Sequence, residues 1–127
     1  HVGRFNPQKN HGFIIDVFNE IYKKNNKAKL ILVGTGNGQQ EIINKVNNLG
    51  LTDNVLFLGN RSDVNRVLQA MDVFLFPSLY EGLPLSIIEA QAAGLPCVIS
   101  DNVPPECIKT DRVFHYSLEK PLDFWEK

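Results

Sequence analysis

The sequence lacks the features that would place it in several specialised classes of protein. No apolar run approaches the ~20 residues that a membrane span needs, and the opening residues HVGRFNPQKN contain no apolar signal-peptide segment. The formal net charge of −1 gives no global positive field for nucleic acid or anionic lipid. Cys97 and Cys107 have neither metal-ligand spacing nor a disulfide framework, and Cys97, in an apolar run, is predicted to be a buried thiol. The composition is that of an ordinary globular domain, in which an anion would have to be bound by a few nearby groups and not by the net charge of the protein.

Strand and helix signals alternate along the chain. Short apolar segments predict strands at HVGRF, AKLILVG, NVLFLG, DVFLFPS and PCVIS, and apolar periodicity predicts helices over 9–25, 41–49, 64–70 and 84–93. VPPE is typical of a turn, the segment 108–127 is weakly patterned, and PLDFWEK at its end is expected to start a helix. About five βα units without a hairpin signal predict a doubly wound, Rossmann-like α/β fold, with a parallel sheet covered by helices on both faces.

The length of 127 residues suits one domain and one hydrophobic core. The chain opens inside a predicted strand and without an initiator methionine. We therefore expect residues 1–127 to form a single domain that belongs to a longer protein.

Five loops are predicted at the edge where such sheets bind ligands, beyond the carboxyl ends of the strands. They cover residues 4–9, 34–38, 59–62, 78–85 and 100–105, and they hold most of the glycines and prolines outside helix ends. Arg4, Lys9, Arg61 and Glu81 also lie in these loops. This clustering indicates a binding site at that edge.

The segment VGTGNG follows a strand and precedes a helix, as a dinucleotide-binding fingerprint does. The full G-x-G-x-x-G pattern fails because residue 39 is glutamine, and Asp53 precedes the next strand instead of ending it. Two interpretations of Gly34 and Gly36 stay open. Their backbone approaches a ligand closely, or it forms a tight turn.

The segment EGLPLSIIEA combines a turn, a helix start and two glutamates eight positions apart. Pro84 suits the first helical position, and the free amides over 82–86 together with the helix dipole form an anion site. Arg4 and Lys9 would supply fixed cations for a diphosphate, the alternative being solvated surface charges. Glu81 and Glu89 would then meet hydroxyl groups on either side of the anion, which describes a nucleotide sugar.

For Glu89 and His11 the functional interpretation has a non-functional alternative. Glu89 could lie on a solvated helix face, but its apolar neighbours favour a carboxylate that needs a partner. His11 is predicted to be a surface residue near a helix start rather than a base.

The motifs VGRFNPQKN, LILVGTGNG, VLFLGNRSDV and DVFLFPSLYEGLPLSIIEAQAAGLPCVISD together resemble the carboxyl-terminal half of a GT-B fold glycosyltransferase. The most similar family is glycosyltransferase family 4, the retaining enzymes of polysaccharide and glycolipid assembly. The resemblance covers about residues 2–106. Alone, the two glutamates separated by seven residues are a moderately specific signal for this family. Together with the other three motifs in the same order, they are a strong one.

The resemblance implies a role for each matched residue. The catalytic group would comprise Glu81, facing the donor sugar, and the pair Arg4 and Lys9, contacting the donor diphosphate. Donor binding would also involve Gly3 and the loop with Gly34 and Gly36, near the nucleotide, and Asn60, Arg61 and Val64, beside the base. The turn Gly82, Leu83, Pro84 and Leu85 would meet phosphate or sugar through its amides, and Glu89 would bind the ribose hydroxyls. Leu83 stands where the family usually has an aromatic residue, which is a common variant.

The resemblance implies the donor-binding domain of a retaining glycosyltransferase, with a UDP-sugar as the expected donor. Transfer would need no metal or other cofactor, because the helix amides, Arg4 and Lys9 would stabilise the departing diphosphate. Neither an Asp-x-Asp motif nor a histidine cluster is present to hold a metal. The acceptor, a glycan or lipid-linked sugar, would bind an amino-terminal domain that this chain lacks, so the chain alone should not turn over. A cytoplasmic protein is expected, with any association with the inner face of the cell membrane carried by the missing half. The alternatives are a GT-B fold sugar-nucleotide epimerase and a non-catalytic nucleotide-binding or interaction domain.

Overall fold

The computed structural model describes residues 1–82, residues 84–120 and Trp125. The strands within these residues are β1 Leu30–Val33, β2 Val55–Gly59, β3 Phe74–Phe76, β4 Cys97–Ser100 and β5 Val113–Tyr116. The α-helices that alternate with them are α1 His11–Lys24, α2 Gln39–Asn48, α3 Val64–Gln69 and α4 Leu85–Ala92. Short 3₁₀ helices occupy Pro7–Lys9 and Pro105–Cys107.

The predicted alternation is confirmed, with differences at the edges. Strand β5 was missed because residues 108–127 carry little apolar periodicity, and its burial pattern has two exposed residues at the centre. The predicted VPPE turn continues as a 3₁₀ helix, because Pro105 occupies a first helical position, where its missing amide hydrogen is not needed. Of the predicted helix at PLDFWEK, only Trp125, which is helical, lies within the described residues.

All ladders among the described residues are parallel. Strand β1 pairs with β2 in one sheet, and β3, β4 and β5 lie in that order in a second. The predicted first strand is reduced to an isolated bridge between Val2 and Val33. Backbone bonds nevertheless carry residues 1–5 along β1, with Gly3 N donating to the Val33 oxygen at 2.9 Å and Phe5 N to the Thr35 oxygen at 3.0 Å.

Residues 1–5 also reach the second sheet, through a side chain. The imidazole Nδ1 of His1 donates to the Leu75 carbonyl oxygen in β3 at 2.9 Å, and the His1 ring lies parallel to that of Phe74. Taking residues 1–5 as the first strand, the spatial order is that of the doubly wound dinucleotide-binding fold. The chain therefore has a Rossmann-like α/β fold.

The core lies on both faces of the sheets. One cluster joins β3 and β4 to α3 and α4 through Phe74, Phe76, Ile87 and Ile99, each fully buried. Another joins β1 and β2 to α1 and α2 around Ile14, Leu32 and Val46, among others. The buried thiol predicted for Cys97 is confirmed, and burial raises its pKa to about 11, so it stays protonated. Within the described residues no helix combines the length and the apolar character that crossing a membrane requires.

Candidate functional site

The five predicted ligand-edge loops are joined to one another by hydrogen bonds. The loop 34–38 contacts the loop 4–9 where Gly38 N donates to the Phe5 oxygen at 3.1 Å, and it contacts the loop 59–62 where Gly34 N donates to the Gly59 oxygen at 2.8 Å. Leu79 N donates to the Gln8 oxygen at 2.8 Å. The Ser100 hydroxyl donates to the Ser78 oxygen at 2.6 Å, which connects the remaining loop. The sheet thus gathers all five loops into one continuous surface.

Lys9 and Glu81, 72 positions apart in the chain, meet on this surface. The Lys9 ammonium donates to Oε2 of Glu81 at 2.7 Å and lies 5.1 Å from the ring centroid of Phe76. Only 17% of the Lys9 side chain and 5% of the Glu81 side chain is exposed. The two charges therefore compensate each other in a largely dehydrated position, where an isolated charge would be costly.

The position of Lys9 depends on the chain around it. Asn6 caps the 3₁₀ helix Pro7–Lys9 by accepting a hydrogen bond from the Lys9 amide through its side chain. The aliphatic stem of Lys9 passes over Gly3, where an added Cβ would lie 3.3 Å from its Cδ atom. Gly3, predicted as a donor-binding residue, therefore makes room for the lysine that reaches Glu81.

Gly34 and Gly36 have a packing role that neither sequence-based interpretation included, and their predicted approach to a ligand stays a prediction. Both have positive φ, of 132° and 156°. A Cβ on Gly34 would lie 2.1 Å from the Gly3 oxygen, and one on Gly36 would lie 2.7 Å from the Phe5 oxygen. The glycines therefore let this loop approach the backbone of residues 3–5, which keeps both loops at the same edge.

The prediction that His11 is a surface residue was wrong. His11 is 4% exposed, and its ring stacks on Phe5 at a centroid distance of 4.1 Å. Burial is the main cause that lowers its pKa to about 4, with nearby positive charge, including that of Lys9, adding to it. The imidazole is therefore neutral at physiological pH and forms part of an aromatic layer under the Lys9 loop.

Helix α4 begins one residue later than predicted. Pro84 is the N-cap, with extended backbone, and Leu85 is the first helical residue. No side chain caps this helix start within the described residues, so the amides of Leu85 and Ser86 are not engaged in the helical pattern. Pro84 is buried, while Gly82 and Leu85 are exposed. Leu83, also predicted here, lies outside the described residues.

Glu89 is exposed on α4. It lines a small cavity of about 200 Å³ with Asn65, Leu68 and Gln69 of α3. In the described part of the chain Glu89 forms no ion pair, and its exposure agrees with the alternative of a solvated helix face. Its predicted contact with a ligand stays a prediction. The buried positions of α4 are Ile87, Ala90 and Gln91, and Glu89 faces away from them.

The loop 59–62 presents Arg61 in a paired state. Its Nε and Nη2 atoms donate to the two carboxylate oxygens of Asp63, each at 2.8 Å, on the surface. These hydrogen bonds raise the pKa of Arg61 and lower that of Asp63. Asn60 is exposed, and Val64, at the start of α3, packs partly against the β3–β4 core. Any contact between Arg61 and a ligand therefore involves a guanidinium already held by Asp63.

Arg4 is exposed, beside the backbone of Gly34. Among residues 1–82, 84–120 and Trp125 it forms no ion pair. Of the two cations predicted at this edge, Lys9 is thus neutralised within the protein and Arg4 remains open to an external anion.

Several residues that build the site were missed from the sequence. The Asn10 side chain donates to the Pro77 oxygen at 3.0 Å, from a left-handed backbone conformation with φ 63°. Gln91 lies on the buried face of α4, donates to the Cys107 oxygen at 2.7 Å and accepts from the Lys109 amide at 2.7 Å. Their signal was weak, because asparagine in a turn and glutamine in a helix are common.

In the described ranges no group of three or more His, Cys, Asp or Glu side chains is placed to hold a metal ion.

Comparison with known proteins gives a consistent set of matches. The family model described as Glycosyl transferases group 1 matches residues 1–115. The putative glycosyltransferase EpsF of Bacillus subtilis is 38% identical over 98% of this chain and 33% of its own length. An Escherichia coli UDP-Gal:alpha-D-GlcNAc-diphosphoundecaprenol alpha-1,3-galactosyltransferase is 37% identical over 84% of this chain and 28% of its own length. The chain thus spans about a third or less of these curated relatives.

Solved structures have the same fold. A mutant of S. aureus TarM, in complex with fondaparinux, alpha-GlcNAc-glycerol and UDP, matches with a TM-score of 0.90 and 25% identity, over 99% of this chain and 26% of that chain. HepE of Anabaena in complex with UDP matches with a TM-score of 0.83 and 25% identity, over 98% of this chain and 35% of that chain.

Proposed function

Because the chain belongs to the glycosyl transferases group 1 family, we propose that it is the donor-binding domain of a retaining, family 4 glycosyltransferase. It would bind a nucleoside-diphosphate sugar, with a UDP-sugar as the favoured donor. The complete enzyme would transfer the sugar to a glycan or a lipid-linked acceptor held by a second domain. The relatives include a galactosyltransferase whose printed name specifies a UDP-linked donor and a diphosphoundecaprenol-linked acceptor.

The observation that carries this proposal is the contact of Lys9 with Glu81 on a surface built from five strand-end loops. A chain that only needed a stable fold would gain little from a mostly buried ion pair at this edge, since such pairs are weak evidence of stability. Paired charges and an exposed arginine at the same edge of the sheet suit a ligand with both anionic and hydroxyl groups.

The donor would lie across this surface in three parts. Its diphosphate would meet Arg4, Lys9 and the unengaged amides at the start of α4, with the positive end of the helix dipole behind them. A unit charge pair at ~4 Å is worth about 4 kcal/mol at an effective dielectric near 20. These groups would therefore stabilise the diphosphate as it leaves.

The remaining parts of the donor would contact the two glutamates and the base loop. Glu81 would accept hydrogen bonds from sugar hydroxyls and favour positive charge developing at the sugar ring. Glu89, exposed on α4, would accept from the ribose hydroxyls, and the base would lie near Asn60, Arg61 and Val64. Because cations and amides already compensate the diphosphate, we expect transfer to persist in EDTA.

The proposal is tested by titrating the chain with UDP in a calorimeter, and then with UDP-glucose and UDP-galactose. Saturable binding of UDP is expected, and it should weaken in the variants Arg4→Gln and Glu89→Gln. Sugar transfer is expected only from the full-length protein, at the cytoplasmic side of the membrane if the acceptor is lipid-linked. Absence of UDP binding, or transfer by the 127-residue chain alone, would contradict the proposal.

A further inference from the structure

The Lys9–Glu81 ion pair couples two parts of the proposed donor site before any ligand arrives. The two groups are joined at 2.7 Å, and both side chains are more than four-fifths buried. The Phe76 ring closes one side of the ammonium at 5.1 Å. Water therefore contributes little to either charge, and each depends on the other for compensation.

An entering diphosphate disturbs this balance. An ammonium group has three donors, so Lys9 can contact a phosphate without leaving Glu81. The phosphate then lies close to the Glu81 carboxylate. At an effective dielectric near 20, the repulsion between two like charges ~6 Å apart is large enough to weaken binding roughly a hundredfold. A bare diphosphate must therefore compete with Glu81 for Lys9.

A sugar attached to the diphosphate changes the competition. Its hydroxyl groups are hydrogen-bond donors, and a carboxylate accepts up to four such bonds. Glu81 can then exchange the Lys9 ammonium for sugar hydroxyls, which releases the lysine to the phosphate. The exchange requires a hydroxyl-bearing group at the end of the diphosphate, and the product of transfer has none.

We propose that Glu81 is a specificity-determining residue that weakens binding of the nucleoside diphosphate product relative to the sugar donor, by competing for Lys9 when no sugar satisfies it. This inference rests on the proposed function and adds to it a preference of the site for the sugar donor over the product. Removing the Glu81 charge should strengthen binding of the product while it weakens use of the donor. Loss of a merely structural ion pair would weaken both.

The test measures the dissociation constant of UDP for the wild type and for Glu81→Gln by calorimetry. The variant is expected to bind UDP about tenfold or more tightly. The control is Asp111→Asn, which makes the same change in net charge at an exposed position before β5, at the opposite edge of the sheet. It should bind UDP as the wild type does. The gain from Glu81→Gln should shrink in a protein that also carries Lys9→Gln, because there is then no lysine to compete for.

In the full-length enzyme, Glu81→Gln should lower the inhibition constant of UDP and lower kcat/KM for the sugar donor. If the wild type binds UDP and Glu81→Gln binds it equally or more weakly, the competition is refuted and the donor-site proposal stands. If neither binds UDP, the donor-site proposal falls and this inference falls with it.

A measurement on the wild type covers the case in which Glu81→Gln does not fold. UDP should shift the NMR signals of both the Lys9 ε-methylene group and the Glu81 carboxyl carbon. A shift at Lys9 without one at Glu81 would show that the two groups do not exchange partners, and would refute the inference.

Discussion

Substituting Gly34 by alanine should cause far more damage than a positive φ alone explains. Gly34 has φ 132°, and its Cβ would lie 2.1 Å from the Gly3 oxygen, whereas real Cβ atoms essentially never come within 3.0 Å. The backbone strain costs about 1–3 kcal/mol. Relieving the collision must also displace residues 3–5, with the loss of two backbone hydrogen bonds to Val33 and Thr35, each worth about 1 kcal/mol. We expect a loss of about 3–5 kcal/mol, a large part of a typical domain's stability.

Urea denaturation followed by circular dichroism measures this loss. The matched control is Gly50→Ala, since Gly50 also has positive φ, of 72°, but nothing lies within 4 Å of its added Cβ. That variant should lose only about 1–2 kcal/mol, the strain of the left-handed conformation. Equal losses in the two variants would show that the approach of residues 3–5 to the Gly34 loop contributes nothing, and would refute the reasoning.

Three further predictions concern His11, Gln91 and Arg4. The folded-state pKa of His11, about 4, is below its ordinary 6.5, so the unfolded chain binds more protons between these values. Stability should rise by about 3 kcal/mol from pH 4 to 6.5, and His11→Phe should flatten that rise in urea titrations. Gln91→Leu should cost about 2–4 kcal/mol, because it leaves the Cys107 carbonyl and the Lys109 amide without their partner. Arg4→Gln should weaken UDP binding about tenfold and leave the melting temperature unchanged.

The controls for these variants come from the same chain. Exposed Gln69→Leu should change stability by no more than about 0.5 kcal/mol, and exposed Arg66→Gln on α3 should leave UDP binding unchanged. A pH profile that His11→Phe does not alter would show that another group titrates in that range. An Arg4→Gln variant that melts earlier would indicate a structural role for this side chain.

The elements of the fold were predictable where apolar patterning was strong, and the site was predictable only in outline. Continuous apolar segments identified β1 to β4. Strand β5 was missed because its two central residues, Phe114 and His115, are exposed and form no continuous apolar segment. The ligand edge followed from the topology, because parallel strands end at one edge. The Lys9–Glu81 contact did not follow, since a sequence places both residues at the edge without saying that they touch.

Burial was the hardest property to infer for polar residues. His11 and Glu89 both occupy helices, and the predictions assigned the histidine to the surface and the glutamate a partner. The structure buries His11 against the Phe5 ring, whereas Glu89 is exposed and faces away from the buried side of α4. Which side of a short helix is covered depends on the neighbouring helix, and that information is not local in the sequence.

The opening five residues lie at the junction of the two sheets, held to β1 through backbone bonds and to β3 through the imidazole of His1, 74 positions away from its acceptor. A proteolytic cut or an expression boundary placed just after Phe5 would therefore not trim a dispensable end. It would remove the shared partner of both halves, leaving the β1 edge and the Leu75 carbonyl uncovered, and the smallest unit that folds independently must begin upstream of that point.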